Sequence, residues 1–581
     1  MNNNNLEHDL TASFVGGHKN LRDADMGDAL IACSCDFGHV DTPSPDTHKV
    51  ACVRTTTLLG IEAMPVEIEA HIAPGLKRFA VVGLPDGVLK ESKDRIRCAI
   101  NNSGFDFPDQ EVVVSLTPAE LPKIGAGLEL GVALAILAAD GQIPKQAFEG
   151  RIVIGELSLD GGVKSVKGAF ASVCYARDCN MRELIMPAKD APISSIVKGV
   201  RVIGVFSLCE TVAYLKGQRD LTPIFTTDID TISNSNAFFG NACYGDTSLG
   251  FDEVVGQHTA KRALEIAAAG AHNVLMSGPP GAGKSMLASR LSSILPALSS
   301  DEVIEVTKIH SLNVFSHSYD FNNTQLDEAS CNSLWMLKRP FRAPHHTISS
   351  AGLIGGGSVA KPGEISLAHK GVLFLDELTE FKRDVLECLR QPLESKTVRV
   401  SRARFSICFP ADFMLVAAMN PCPCGLYGDG TGRCKCTPAD LRRYRARLSS
   451  PLLDRIDLHI WVPAVNSLDI LQKERFKTQQ NAHENDILTR VVNARKIQHT
   501  RFNSHTKTNT SMTSKELIEY CQLSSAALKL LSDACQRYKL SARAYTRVLK
   551  VARTIADIDG VKDIDVSHVA EAVSYREINT R

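Results

Sequence analysis

The spacing of apolar residues predicts alternating strands and helices over most of the chain. Strands are expected where apolar residues alternate with polar ones or form short runs, at residues 66–72, 79–84, 112–116, 152–157 and 183–187. Helical periodicity at residues 88–101 places Ile96 and Ile100 on one face, and an Ala- and Leu-rich helix is expected at residues 128–139. This mixture predicts an α/β domain at residues 50–217.

Three further apolar runs predict a second α/β domain at residues 251–465; they lie at residues 274–276, 371–375 and 414–419. Residues 466–581 are expected to form a linker and a small helical domain, with amphipathic helices at residues 514–537, 542–558 and 566–575. Polar composition predicts a mobile extension at residues 1–49 and a linker at residues 218–250.

Composition adds few constraints. Hydrophobic residues are 44% and charged residues 22% of the 581 residues, as in ordinary globular proteins, and the formal net charge is zero. Any affinity for nucleic acid must therefore come from local patches. No run reaches the roughly 18 apolar residues of a membrane helix, and no secretory signal begins the sequence. With 17 cysteines read as mostly reduced thiols, we expect a cytoplasmic protein without a membrane partner.

A glycine-rich turn follows the predicted strand at residues 274–276 and precedes a helix that should begin near Lys284. It matches the phosphate-loop pattern G-x-x-x-x-G-K-S. The glycines let backbone N–H groups turn toward phosphates, Lys284 can reach the β- and γ-phosphates, and Ser285 can coordinate Mg²⁺. We therefore predict that ATP and Mg²⁺ bind here, the nucleotide being held by Gly278, Pro279, Pro280, Gly281, Ala282, Gly283, Lys284 and Ser285.

Two other predicted strands end in polar residues suited to the same site. The run at residues 371–375 leads into Asp376 and Glu377, a Walker B pattern in which the aspartate holds Mg²⁺ and the glutamate orients the attacking water. The run at residues 414–419 leads into Asn420, which resembles the sensor 1 amide near the γ-phosphate; alternatively, it is a simple turn former. Glu377 and Asn420 are thus candidate catalytic residues, and Ser285 and Asp376 candidate Mg²⁺ ligands.

Several motifs together resemble one family. They are V-G-L-P-D at residues 82–86, K-E-S-K-D-R at 90–95, L-P-K at 121–123, R-P-F-R-A-P-H-H at 339–346, N-P-C-P-C-G at 420–425 and L-L-D-R-I-D at 452–457. The chain from about residue 50 resembles the magnesium-chelatase-like ATPases, the family of competence protein ComM and YifB. The resemblance implies a Lon-protease-like (S5 D2-like) α/β domain, a P-loop AAA+ α/β domain and a C-terminal α-helical lid. Residues 123–128 lack the serine of a Ser–Lys dyad, so no protease activity is expected.

By the same resemblance, Arg455 is an arginine finger inserted into the ATP site of a neighbouring subunit, and Arg543 is a sensor 2 arginine that contacts phosphate. For both, a surface salt bridge is the alternative. A site completed by a neighbour requires a ring, so the resemblance implies a homohexamer. The segment D-E-V-V-G-Q at residues 252–257 is comparable to the D-x-x-G-Q stretch that lies against adenine in AAA+ ATPases, although it has one more residue between Asp and Gly.

An insertion at residues 298–370 separates the two Walker motifs and looks like the family's extra hairpin, which projects toward the pore. Arg339, Arg342 and Lys361 would suit phosphate contacts there. His345 and His346 are adjacent, and neighbouring side chains of a strand face opposite ways, so we do not expect them to share a metal ion.

Four cysteines form a C-x-C…C-x-C pattern at residues 422–436. Thiolates of Cys422, Cys424, Cys434 and Cys436 suit tetrahedral Zn²⁺. The alternative is a reduced turn without metal, because the spacing is tighter than the common C-x-x-C. A basic run at residues 440–447 follows, and either binds a DNA backbone or forms a solvated helix face.

The function implied by the resemblance is an ATP-hydrolysing AAA+ ring motor that binds single-stranded or branched DNA. It would promote branch migration or helicase activity during recombination of transforming DNA, with recombination proteins as partners. One alternative is a magnesium-chelatase-type motor subunit, against which the Lon-like domain and the four cysteines argue. Another is an ATP-gated scaffold without turnover, against which Asp376, Glu377 and Asn420 argue.

Overall fold

The computed structural model describes residues 49–83, 86–121, 123, 127–224, 250–251, 254, 256–314, 338–357, 361–401, 406–428, 430, 432–464 and 481–576. The predicted extension, apart from residue 49, and most of the predicted linker at residues 218–250 lie outside these ranges. No helix among the described residues is long and apolar enough to cross a membrane.

The amino-terminal part contains two sheets. A four-stranded sheet has the order β1-β2-β4-β3, formed by β1 (Val50–Leu59), β2 (Glu62–Ala73), β3 (Arg78–Val82) and β4 (Glu111–Thr117). Only the β3–β4 pair is parallel. A parallel three-stranded sheet has the order β5-β8-β9, formed by β5 (Arg151–Val153), β8 (Glu183–Pro187) and β9 (Arg201–Val205). A small hairpin is formed by β6 (Glu156–Leu157) and β7 (Val163–Lys164).

Four helices cover these sheets: α1 (Asp86–Asn102), α2 (Glu129–Ala139), α3 (Ala169–Asp178) and α4 (Leu208–Leu215). All residues of α2 are buried, as expected for a helix that is apolar on every side. It packs against Ile68 of β2 and Leu116 of β4 in one hydrophobic core. The predicted strands and helices of this α/β domain are therefore present, except that the run at residues 152–157 is divided between β5 and β6, which belong to different sheets.

A five-stranded parallel sheet organises the second half. Its order is β11-β14-β17-β10-β18, formed by β10 (Val274–Ser277), β11 (Phe341–Arg342), β14 (Val372–Leu375), β17 (Met414–Met419) and β18 (Leu458–Trp461). Every residue of β10 and β14 is buried, which explains why both are apolar runs apart from Ser277 at the end of β10. Because the strands are parallel, the segments that follow β10, β14 and β17 meet at one edge.

Helices and hairpins surround this sheet. The helices are α5 (His258–Gly270), α6 (Lys284–Arg290), α7 (Ser300–Val314), α8 (Ser350–Ile354), α9 (Glu364–Leu367), α10 (Arg383–Glu387), α11 (Pro392–Ser395), α12 (Pro438–Arg445) and α13 (Ser450–Leu453). One hairpin pairs β12 (Gly355–Gly356) with β13 (Lys361–Pro362). A second hairpin, which the sequence analysis missed, pairs β15 (Thr397–Ser401) with β16 (Ser406–Pro410).

The carboxyl-terminal part is helical, as predicted for a lid. It consists of α14 (Asn481–Phe502), α15 (Ser514–Tyr520), α16 (Ser525–Tyr538), α17 (Ala542–Ile558) and α18 (Val566–Ser574). Its core is continuous with that of α5, since Leu549 and Ile555 belong to the same buried cluster as Ile266. Arg501 and Arg553 both pair with the fully buried Asp557.

The amino-terminal domain also packs on α7. Phe170 and Val173 of α3 share a buried cluster with Val303 and Val306 of α7. Lys308 on the same helix forms an ion pair with Glu62 at the start of β2. The two α/β domains are therefore joined by an apolar contact with an ion pair beside it.

Candidate active site

The phosphate loop connects β10 to α6. Gly281 and Gly283 have φ values of 75° and 85°, which glycine adopts without the strain other residues would suffer. The Lys284 ammonium is buried and donates to the carbonyl oxygens of Gly278 at 2.7 Å and Pro279 at 3.0 Å. Burial lowers the pKa of Lys284.

The predicted Mg²⁺ ligands lie together. Ser285 Oγ donates to Asp376 Oδ2 at 2.6 Å, and the Glu377 N–H donates to Asp376 Oδ1 at 2.9 Å. A hydroxyl and a carboxylate beside a phosphate loop are the oxygen donors that Mg²⁺ prefers, so these residues fit the ion. Glu377 has a φ of 50° and a half-exposed side chain, which leaves its carboxylate open to a nucleotide.

Asn420 is brought to the same place. Its Oδ1 accepts from Lys284 Nζ at 3.2 Å, because β17 lies beside β10. Gln257 also reaches the phosphate loop, donating from Nε2 to the Ala282 oxygen at 3.3 Å and to the Pro463 oxygen at 2.7 Å. The structure thus assembles Lys284, Ser285, Asp376, Glu377 and Asn420 at one edge of the sheet.

In a strand, adjacent side chains would face opposite ways, but the two adjacent histidines lie side by side. Residues 343–349 form an irregular turn, and the rings of His345 and His346 lie 4.1 Å apart between centroids. His346 Nδ1 lies 3.6 Å from Glu377 Oε2. Period-two alternation does not apply to a turn, so the reason given for separating the two rings does not hold, while the expectation that they share no metal ion stays a prediction. The turn brings His346 beside the candidate catalytic carboxylate.

The two arginines of R-P-F-R serve internal contacts. Arg339 donates to the carbonyl oxygens of Pro296 and Lys370, both at 2.7 Å, and pairs with Glu302 at 3.0 Å. Arg342 binds Glu364 through two hydrogen bonds of 2.6 and 2.7 Å. Both side chains are thus engaged within the chain, beside edge strand β11, and their contact with phosphate stays a prediction. Lys361 is exposed, at the start of β13.

Arg455 and Arg543 converge on one carboxylate. Arg455 is 5% exposed, and Nη2 lies 2.7 Å from Oε1 of Glu394, a residue of α11. Its Nη1 donates to the Pro451 oxygen at 2.6 Å, while its buried Nε has no partner. Arg543 Nη2 approaches the same Glu394 oxygen at 3.4 Å. No sequence motif pointed to Glu394, because the three residues are far apart along the chain.

A buried polar frame ties the phosphate-loop strand to the arginine segment. The Asn273 side chain accepts from the Leu415 N–H at 2.8 Å and donates to the Arg455 oxygen at 3.1 Å. Its backbone N–H donates to Asp457 at 2.9 Å. Asp457 also pairs with Arg547 of the lid helix α17. The motif L-L-D-R-I-D was noticed, but the role of its last aspartate was missed.

The four cysteines are close together. Cys422 Sγ lies 3.2 Å from Cys424 Sγ and 3.8 Å from Cys434 Sγ, and Cys424 lies 3.5 Å from Cys434. With Cys436, all four sulfur atoms lie within 4.8 Å of one another. The cluster begins two residues after Asn420.

The basic run forms α12, which begins with a capping box between Thr437 and Asp440. Tyr444 is buried, and its hydroxyl accepts from Thr379 Oγ1 at 2.7 Å, whereas Arg442, Arg443 and Arg445 are exposed. Beside the helix is an open cleft of about 460 Å³, lined by Thr379, Glu380, Phe381, Arg383, Arg443, Ala446 and Arg447.

Comparisons with known proteins agree with this architecture. Three models of the magnesium chelatase subunit ChlI match the chain, at residues 68–190, at residues 250–470 and, for the ChlI C-terminal region, at residues 472–576. Competence protein ComM of Haemophilus influenzae is 41% identical over 528 residues, 91% of this chain and 97% of that protein.

Two further relatives are informative. YifB of Salmonella typhimurium is 39% identical over 530 residues, again 91% of this chain and 97% of that protein. Lon protease 2 of Bacillus subtilis is 28% identical over 193 residues, 30% of this chain and 33% of the protease. The last match agrees with a Lon-like fold in part of the chain.

These features define an AAA+ ATPase: a parallel sheet carries a phosphate loop, a Walker B aspartate and a polar strand end, and a helical lid follows it. The cofactors of this class are ATP and Mg²⁺. Within that class, the chain belongs to the ComM/YifB family of magnesium-chelatase-like proteins.

Proposed function

We propose that this protein is a ring-shaped ATP-driven motor that acts on single-stranded or branched DNA and promotes branch migration during recombination of transforming DNA. The proposed ATP-driven activity rests on one observation, which is that five polar side chains meet at one edge of the parallel sheet: Lys284, Ser285, Asp376, Glu377 and Asn420. The name of the Haemophilus relative, competence protein, supports the link to DNA uptake.

Each residue has a role in this proposal. Ser285 and Asp376 would hold Mg²⁺, which neutralises phosphate charge when bound. The Lys284 ammonium would leave the carbonyl oxygens of the loop for the phosphates, remaining beside Asn420. The Glu377 carboxylate would orient the attacking water and accept its proton. His346 Nδ1 lies 3.6 Å from Oε2 of this carboxylate.

Arg455 and Arg543 would act on the nucleotide of a neighbouring subunit. Within the chain both arginines pair with the carboxylate of Glu394, which is not part of the phosphate loop. An arginine supplied in this way is worth about 10³–10⁵ in rate in related phosphoryl-transfer enzymes. A homohexamer would place the pair at each of its ATP sites.

The exposed arginines around α12 support contact with a DNA backbone. Arg383, Arg443 and Arg447 border one cleft, and Arg442 and Arg445 lie on the same helix. Such contacts follow phosphate charge and carry little sequence information, which suits a motor that moves along DNA. Recombination proteins would be its expected partners.

The test is ATPase and strand-displacement activity of the purified full-length chain on single-stranded, forked and four-way DNA. We expect the rate of ATP hydrolysis to rise when DNA is added. We expect four-way junctions to be separated into duplexes, without cleavage, only when the ATP can be hydrolysed. Arg443→Ala should weaken DNA binding and its salt dependence, whereas Arg537→Ala, an exposed arginine of α16, should not.

The outcomes separate the alternatives. ATPase activity that is indifferent to every DNA form, but rises with a chelatase partner, would favour a metal-insertion motor. Nucleotide binding without turnover would favour an ATP-gated scaffold. Sedimentation as a monomer with ATP bound would overturn the ring.

A further inference from the structure

We infer that Cys422, Cys424, Cys434 and Cys436 bind one Zn²⁺ ion, and that this ion fixes the positions of Asn420 and of the phosphate loop. The inference joins the sulfur geometry of the cluster to the contacts that its loop makes with the ATP site. It rests on the ATPase itself and is independent of the proposed action on DNA.

The geometry suits a single tetrahedral ion. Zn–S bonds of about 2.3 Å place the sulfur atoms of a tetrahedron about 3.8 Å apart. The separations among Cys422, Cys424 and Cys434 Sγ are 3.2, 3.5 and 3.8 Å, and Cys436 Sγ lies within 4.8 Å of all three. A disulfide would need about 2.05 Å, and all four cysteines are free thiols. An iron–sulfur cluster would place several iron and sulfide atoms among the thiolates and separate them further.

The surrounding backbone is arranged for a bound thiolate. The Tyr427 N–H donates to Cys422 Sγ at 3.3 Å, and the Gly425 N–H closes the turn on the Cys422 oxygen at 3.0 Å. Hydrogen bonds of this kind orient a ligand and stabilise its charge in metal sites. Cys422 is fully buried, while Cys424 is exposed, so the ion would lie at the surface edge of the loop.

The loop touches the ATP site at two points. Asn420, which binds Lys284, lies two residues before the first ligand. Gly425, one residue after the second ligand, faces Pro280 so closely that an added Cβ would lie 2.7 Å from its Cδ. An ion that holds Cys422 and Cys424 therefore holds both the sensor amide and one wall of the phosphate loop.

Metal content is the first measurement. The full-length chain, purified under reducing conditions without added zinc, should contain one Zn²⁺ per chain by plasma mass spectrometry. Cys424→Ser and Cys434→Ser should lose it, whereas Cys209→Ser, an exposed cysteine of α4, should keep it. Less than about 0.2 Zn²⁺ per chain, or a disulfide within the cluster, would overturn the site.

Removal and return of the ion separates metal loss from misfolding. Wild-type protein stripped with a mercurial and then treated with thiol should bind Co²⁺ at one equivalent, with the absorption of tetrahedral thiolate ligation. Its basal ATP turnover, measured without DNA, should fall about tenfold on stripping and recover with Zn²⁺, since a displacement near 1 Å costs up to about 10²-fold. Unchanged turnover in the stripped protein would refute the coupling.

A matched glycine pair tests the contact itself. Gly425 and Gly430 have φ values of 78° and 76°, so alanine meets the same backbone strain at either position. Only at Gly425 would the new methyl meet Pro280, because at Gly430 no atom of the residues that the structure describes lies within 4 Å of the Cβ position. Gly425→Ala should keep its zinc but lose about tenfold in ATP affinity or turnover. Equal behaviour of the two variants would refute the proposed contact.

Discussion

Replacement of Asp457 by asparagine should destabilise the attachment of the lid to the ATPase sheet. The carboxylate is 2% exposed, accepts the Asn273 N–H at 2.9 Å, pairs with Arg547, and lies 3.6 Å from His272 Nδ1. Asparagine keeps the shape and one acceptor but removes the charge. The substitution therefore isolates the electrostatic contribution.

The magnitude follows from what remains in Asp457→Asn. Breaking a buried ion pair by removing one partner costs roughly 3–5 kcal/mol, because the other charge is left uncompensated. Arg547 retains 18% side-chain exposure, so water can partly replace its partner. We therefore expect a loss near the lower end, about 3 kcal/mol, which is a large share of the 5–15 kcal/mol typical of a folded domain.

The assay is urea unfolding followed by the fluorescence of Trp461, the last residue of β18, in a Trp335→Phe background. Asp454→Asn is the control, since Asp454 belongs to the same motif but is only half-buried. An unfolding midpoint of Asp457→Asn equal to that of the control would refute the reasoning.

The pH dependence gives an independent check. Burial opposes ionisation of Asp457, but the attraction of Arg547 and the hydrogen bonds from His272 and Asn273 outweigh it and hold its pKa well below the usual range. A depressed pKa means that the stabilisation is present above the ordinary value near 4 and is lost as the pH falls below it. Below about pH 4, the free energy of unfolding should therefore fall less steeply with decreasing pH in Asp457→Asn than in the wild type.

Three further predictions concern other parts of the chain. Glu377→Gln should bind ATP normally and hydrolyse it on the order of 10²–10⁴-fold more slowly; turnover at the wild-type rate would remove Glu377 from catalysis. Glu394→Gln should lower ATP turnover without changing ATP affinity, because it releases Arg455 and Arg543 from their shared partner, while its described ion pairs involve no residue of the phosphate loop; Glu387→Gln, a partly buried carboxylate paired with Arg390, should leave turnover unchanged. Burial raises the pKa of Asp190 to about 6, so the amino-terminal domain should lose stability as the pH rises from about 4 to 6; in Asp190→Asn this dependence should disappear, and a calorimetric midpoint with the wild-type pH profile would contradict it.

The elements were predicted well where local signals decide them. The helix expected at residues 542–558 is α17 (Ala542–Ile558), whose start is fixed by Ser541 capping the Ala544 N–H. The strand expected at residues 274–276 is β10 (Val274–Ser277), since a strand buried on both faces is mostly apolar. The hairpin of β15 and β16 was missed, although residues 397–401 alternate buried and less buried positions.

Long-range polar partners could not be predicted. Glu394, Arg455 and Arg543 come from three separate helices or their ends, and no local spacing links them. The same holds for Asn273, whose side chain joins β17 to the Arg455 segment. The sequence motifs did place Lys284, Asp376 and Asn420 at strand ends, and parallel pairing then made their convergence a geometric consequence.

The contact of α3 with α7 holds the two α/β domains together independently of the chain segment that connects them. Phe170 and Val173 on one side and Val303 and Val306 on the other exclude water from each other. A single proteolytic nick between residues 225 and 249 would consequently leave two fragments that travel as one particle. The amino-terminal domain thus packs against α7, the first helix of the insertion, so a displacement of that helix would act on this domain through α3.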